Sequence, residues 1–180
     1  MTGNNFTSAR QSISAKPPLH TDSPVNQIEP APIRKSILVN APQERAFQVF
    51  TAGMGGWWRP EHHIAKTPFA DVVVEPRTGG RWFERDKDGT ECEWGKVLAW
   101  DAPRRVVLAW QLNAEWKYDP DFITELEIRF TTEGSATRVE LEHRDIEKFG
   151  ATSAAVRAAL DSTEGWEGAL AVFANAAPKA

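Results

Sequence analysis

Between Phe69 and Leu112 the chain reads FADVVVEPRTGGRWFERDKDGTECEWGKVLAWDAPRRVVLAWQL, four apolar or alternating runs cut by Pro-Arg-Thr-Gly-Gly, Lys-Asp-Gly and Asp-Ala-Pro. Short runs rich in Val, Trp, Phe and Leu, separated by a few turn-forming residues, fold as antiparallel hairpins. The interruptions have mechanical grounds. Gly79 and Gly80 accept positive φ, Asp88-Gly89 suits a tight turn, and Pro103 has no N–H to give to a sheet ladder. The stretch is therefore a meander of strands. Trp82, Trp94, Trp100 and Trp110 lie in it, so its sheet has an aromatic surface to cover.

On either side of the meander the pattern continues. Ile33–Val39 reads as a strand ending at Asn40-Ala41-Pro42, where Pro42 suits a first helical turn and Glu44 its positive end. Ala46, Phe47 and Phe50 recur at helical spacing, Met54-Gly55-Gly56 stops that helix, and Trp57-Trp58-Arg59-Pro60 follows as a turn or second short helix. Asn113–Pro120 is a polar loop carrying Trp116 and Tyr118. Phe122, Thr124, Leu126, Ile128 and Phe130 alternate with Glu125, Glu127 and Arg129, and Val139 and Leu141 alternate with charged residues up to Arg144, so each strand has a wet and a buried face. From about Thr152, Val156, Leu160, Thr163, Trp166, Leu170, Phe173 and Ala177 form a helical stripe. Gly165 and Gly168 mark either a break near Asp161–Gly165 or a close approach of another element, since each costs about 1 kcal/mol relative to Ala inside a helix.

The expected architecture is α+β: a curved antiparallel sheet of seven strands around a C-terminal helix, in the order β-α-α-β-β-β-β-β-β-α. The ordered domain is expected over 33–177. Residues 1–32, with five prolines and no apolar period, are expected to be a disordered or loosely packed tail. A net charge of -4 gives no basic face for nucleic acid, and no run is long enough to span a membrane. The single Cys92 forms no internal disulfide, in keeping with a cytoplasmic protein.

The order of motifs adds a resemblance. Asn40-Ala-Pro-x-x-x-Ala46-Phe47, Trp57-Trp58, Gly79-Gly80-Arg81-Trp82, Gly95-x-Val97-Leu98, Pro103-x-Arg105-Val-Val-Leu-Ala-Trp110 and Gly165-Trp166-x-x-x-Leu170-x-x-Phe173 together resemble the START-like (SRPBCC) superfamily. Within it the chain is most similar to the branch named after the C-terminal domain of the activator of the heat-shock protein 90 ATPase. The resemblance implies a helix-grip fold, in which the sheet wraps the C-terminal helix around an apolar cavity. It also implies a range of functions, from lipid and hormone carriers to polyketide cyclases. Two departures stand out. A short polar tail precedes the fold where the chaperone activator has a separate domain, so ATPase stimulation is not expected. Ala41 stands where a capping Ser or Asp is usual, with Asn40 beside it as a substitute.

Candidate ligand-binding residues follow from the aromatic inner face and its few polar neighbours: Trp57, Trp58, Trp82, Trp94, Trp110, Trp116, Tyr118 and Trp166, with Glu84, Arg85 and His143. Strand alternation turns either Glu84 or Arg85 inward, and the inward one orients a ligand. His143 continues the inward series of Val139 and Leu141 as an acceptor or a base. His62-His63 reads as an exposed loop pair, because adjacent residues seldom aim both rings at one ion and no metal-site spacing accompanies them. No Gly-rich phosphate loop, nucleophile elbow or paired-carboxylate motif is present, so neither cofactor nor metal is expected. Two functions compete: a module binding a small hydrophobic or aromatic molecule, or a protein partner, as a monomer or homodimer; and a polyketide-cyclase-like or hydratase-like enzyme using His143 with Glu84 or Tyr118.

Overall fold

Alternating apolar residues can be dry on one side only if they line up across strands, and the register does this. The computed structural model describes residues 31–178, so the tail expected over 1–32 falls, apart from its last two residues, outside the described residues. Its strands are β1 (Ile33–Val39), β2 (Phe69–Val74), β3 (Arg81–Asp86), β4 (Glu91–Asp101), β5 (Arg105–Trp110), β6 (Thr124–Glu133) and β7 (Ala136–Arg144). They form one sheet in the order β1-β7-β6-β5-β4-β3-β2, antiparallel throughout. Consecutive strands neighbour each other except β1, which pairs with β7 at the far edge. On the inner face Leu126 pairs with His143, Ile128 with Leu141, and Phe130 with Val139, and all six are buried.

The connection from β1 to β2 packs against the sheet, touching β6 and β7. Helix α1 (Gln43–Phe50) starts one residue later than expected, with Pro42 as its N-cap and no side-chain cap bond from Asn40 or any other residue. It buries Ala46, Phe47, Val49 and Phe50, and Phe47 and Phe50 meet Phe130 edge-on at 5.2 and 5.7 Å between ring centroids. Single 3-10 turns follow at Met54–Gly56 and Pro60–His62.

The C-terminal segment is gripped by the sheet, in two parts: α2 (Ser153–Asp161), entered through a 3-10 stretch at Ile146–Thr152, and α3 (Trp166–Ala176). Both readings of its glycines hold. Gly165 sits at the break, where a Cβ would lie 2.3 Å from the Leu160 carbonyl oxygen. Gly168 is a close approach, with a Cβ position 2.3 Å from the Thr163 carbonyl oxygen and 3.0 Å from Arg59 Nη1. Thr163, expected in the buried stripe, falls in the break and is exposed; the rest of that stripe is buried.

One charged residue departs from the expected wet outer face. Glu127 is only 3% exposed, because Arg105, Arg129 and Arg144 close over it at 2.6, 2.7 and 2.7 Å. Burial alone would raise its pKa, but the three guanidinium hydrogen bonds outweigh it and hold the carboxyl down at about 2. Among the described residues no helix is long and apolar enough to cross a membrane.

Candidate ligand cavity

The site begins with an irregularity in β4. Phe83 pairs with Glu93 and Trp82 with Gly95, so Trp94 is the extra residue of a β-bulge. A bulge re-aims side chains, and here both Trp94 and Gly95 are buried. Gly95 lies between Trp82 on β3 and Trp110 on β5, and a Cβ on it would sit 1.7 Å from the Ala109 carbonyl oxygen. With no side chain between them, the Trp82 and Trp110 rings meet at 5.7 Å. Trp94 packs on Trp82 at 5.5 Å and on Trp58 at 4.9 Å, while Trp166 of α3 approaches Trp110 at 5.6 Å and Trp58 at 6.2 Å. These tilted and edge-on contacts are the favoured geometries for aromatic rings, and they hold the indoles as rigid walls.

Those walls enclose a cavity of about 610 Å³ between the sheet, the Trp58–Ile64 segment, the 112–117 loop and the break between α2 and α3. Trp58, Trp94, Trp110, Trp116 and Trp166 line it. Trp116 stands at the mouth, 41% exposed, in a left-handed backbone conformation (φ 58°) that is costly for a bulky residue. Asn113 holds it there: its Oδ1 accepts from the Glu115 and Lys117 N–H groups at 3.0 and 3.1 Å. The other four tryptophans of the lining, Trp58, Trp94, Trp110 and Trp166, are buried.

The remaining expected residues stand behind the wall or away from it. Trp82 backs Trp94 and Trp110, and Trp57 is spent on the fold, its Nε1 donating to the Val49 carbonyl at 2.9 Å. Tyr118 bridges to Leu112 beside the mouth and does not line the cavity. Of the β3 pair, Arg85 lies on the outer face bound to Glu91 at 3.0 Å, and Glu84 is the inward one. Glu84 is fully buried but spends its carboxylate on the protein. It accepts the N–H groups of Ile64 at 2.9 Å and Ala65 at 2.6 Å and Trp94 Nε1 at 3.0 Å. It thus pins the Trp58–Ile64 segment over the bulge.

His143 is likewise inward and fully buried, with both ring nitrogens occupied. Trp166 Nε1 donates to its Nδ1 at 3.2 Å, and its Nε2 lies 2.8 Å from Thr124 Oγ1. Burial pushes its pKa down to about 3, with Arg157 adding to the lowering and Asp145 opposing it. This is a neutral imidazole that fixes the orientation of Trp166, with no nitrogen left to act as a base on a ligand.

Sequence reading set His62 and His63 aside as an exposed loop pair, but both are half-buried and line the cavity, the His62 ring edge-on to Trp58 at 6.4 Å. The Pro60–His62 turn brings it there, and its only sequence signal is adjacency to Trp57-Trp58. Burial and the neighbouring Arg59 lower its pKa, against Glu61 and Glu164. Arg59 ties the rim together, reaching Glu61 at 2.7 Å and Glu164 at 2.8 Å. Among the described residues no cluster of His, Cys, Asp and Glu is arranged to hold a metal ion.

A curved sheet gripping a C-terminal helix over an aromatic cavity defines a START-like, helix-grip domain. The family model described as activator of Hsp90 ATPase homolog 1-like protein matches residues 40–177, and the chain belongs to that family. Among solved structures, an anthrahydroquino-γ-pyrone synthase, Txn09, is 40% identical, with 82% of this chain and 97% of that one covered and a TM-score of 0.59. A self-sacrificing resistance protein, CalC from Micromonospora echinospora, is 31% identical over 83% of this chain and 95% of its own, at a TM-score of 0.64. The Aha1 dimer from Colwellia psychrerythraea, 17% identical over 81% of this chain and 94% of its own with a TM-score of 0.54, shares the fold. No protein with a curated description matches the chain.

Proposed function

We propose that this chain binds a planar, fused-ring aromatic molecule carrying oxygen substituents in the tryptophan-walled cavity. The observation that carries the reading is the wall itself: five indoles around about 610 Å³, a volume typical of small-molecule sites. Flat aromatic walls favour flat ligands, which stack on them with little loss of conformational freedom. The likeness to an anthrahydroquino-γ-pyrone synthase supports the same ligand class.

That likeness also favours a second reading, in which the cavity folds its ligand so that a hydroxyl oxygen adds to one carbon of a side-chain multiple bond while its proton passes to the adjacent carbon, closing a ring with no leaving group. With both nitrogens of His143 and the carboxylate of Glu84 committed to the protein, such a reaction would depend on shape and on the rim groups.

Intrinsic Trp fluorescence titrated with anthraquinone tests the binding reading. Saturable quenching is expected, and Trp116→Ala should weaken it by about tenfold while leaving the urea midpoint nearly unchanged, since this half-exposed ring packs little of the core. Absence of quenching, or equal affinity in Trp116→Ala, contradicts the reading. Incubation with an anthrahydroquinone bearing an open side chain separates the two functions: a changed chromatographic retention of the recovered ligand marks ring closure, and an unchanged one marks a binder.

A further inference from the structure

Resting on that reading of the cavity, we propose that His62 recognises a phenolic hydroxyl of the aromatic ligand by accepting its proton in a hydrogen bond. The cavity is apolar on the sheet side and polar at its rim, and the rim groups are unequal. Glu61 and Glu164 are both bound by Arg59, at 2.7 and 2.8 Å. His63 Nδ1 donates to the Pro60 carbonyl oxygen at 2.6 Å, and its ring packs beside Phe69 at 6.4 Å rather than beside an indole of the wall. His62, by contrast, makes no side-chain hydrogen bond among the described residues, yet it is half-buried against Trp58. A half-buried imidazole that lines the cavity and is bound to no other side chain is available to a ligand there.

The chemistry of the partner follows from the state of the ring. Arg59 and Glu61 on its own segment and Glu164 from the break between α2 and α3 act on His62, and Glu115 and Lys117 of the 112–117 loop line the same cavity. Burial and Arg59 favour the neutral ring, which has one donor and one acceptor nitrogen. An acceptor beside an indole wall suits a hydroxyl on an aromatic ring lying against that wall. Such a hydroxyl is more acidic than an alcohol and a stronger donor, and Lys117, which forms no ion pair among the described residues, is a cation on the same rim for the charge that builds on its oxygen. The hydroxyl-bearing end of the ligand is therefore held at the rim, and the unsubstituted rings go inward among Trp94, Trp110 and Trp166.

The test is the ratio of affinities for 2-hydroxyanthraquinone and anthraquinone, measured by titration on the full chain at about pH 7.5, where His62 is neutral. The native protein is expected to favour the hydroxylated probe by about tenfold, the worth of one good hydrogen bond. In His62→Ala the ratio should fall to near one, whatever happens to the affinity for anthraquinone itself. His62→Gln keeps an acceptor at the site and should retain part of the preference. A ratio near one in the native protein, or an undiminished ratio in His62→Ala, overturns the assignment while leaving the cavity reading intact. If neither probe binds the native protein, the cavity reading fails and the role of His62 with it.

Discussion

Trp166→Ala is expected to lower the free energy of unfolding by about 3–5 kcal/mol, the usual cost of emptying a buried aromatic site. Trp166 is only 4% exposed, and its ring sits between Trp58, Trp110 and His143 at 6.2, 5.6 and 5.9 Å. Truncation loses those contacts and strands His143 Nδ1, which accepts the indole proton at 3.2 Å and has no other donor. Because Trp166 begins α3 directly after the Gly165 break, the change also loosens the point where the C-terminal segment meets the sheet. Urea unfolding measures the loss. A cost below about 1 kcal/mol would mean that the ring faces open solvent and holds nothing in place.

Acidification should expose the second large effect, through His143. Above its ordinary pKa of 6.5 the residue is neutral in folded and unfolded chains and adds no pH dependence. Between 6.5 and about 3 the unfolded chain takes up a proton that the folded one refuses, so stability falls as the pH falls. The slope contributed by one such group is about 1.4 kcal/mol per pH unit. An imidazolium cannot accept the Trp166 N–H, so protonation in the folded state would break the contact that positions this wall. His143→Gln should remove this part of the slope in the window from pH 6.5 down to about 4.5, above the range where Glu127 and other carboxylates titrate. Identical slopes for the native protein and His143→Gln over that window would contradict the assignment.

The strands, their order and the dry face were legible because they rest on local signals. Alternation in Thr124–Glu133 and Ala136–Arg144 sets which residues face inward, and it places His143 correctly by parity alone. The break at Gly165 and the close approach at Gly168 were written in two residues unsuited to a continuous helix. What parity cannot show is where it slips. The bulge at Trp94 arises from the pairing of β3 with β4 around Gly95, a relation between distant positions, and it places two successive residues in the core. Partnerships were equally hidden. His143 looked like a free base because Thr124 and Trp166, which occupy its nitrogens, lie far along the chain in each direction. Glu84 looked like a ligand anchor, but the N–H groups it accepts belong to a loop whose path no periodicity records. The same loop explains why His62 went unrecognised: a turn of three residues carries no face, and only its docking by Glu84 and Arg59 brings the ring to the cavity.

The most direct measurement of the central claim follows the indole N–H signals of the tryptophans by NMR as anthraquinone is added. If the ligand lies in the cavity, the signals of Trp58, Trp94, Trp110, Trp116 and Trp166 shift together and saturate at one stoichiometry. Trp100, packed on Phe47 at 5.1 Å and outside the cavity wall, should stay in place. Shifts confined to Trp100 and its surroundings, or no shift at all at saturating ligand, would contradict the account.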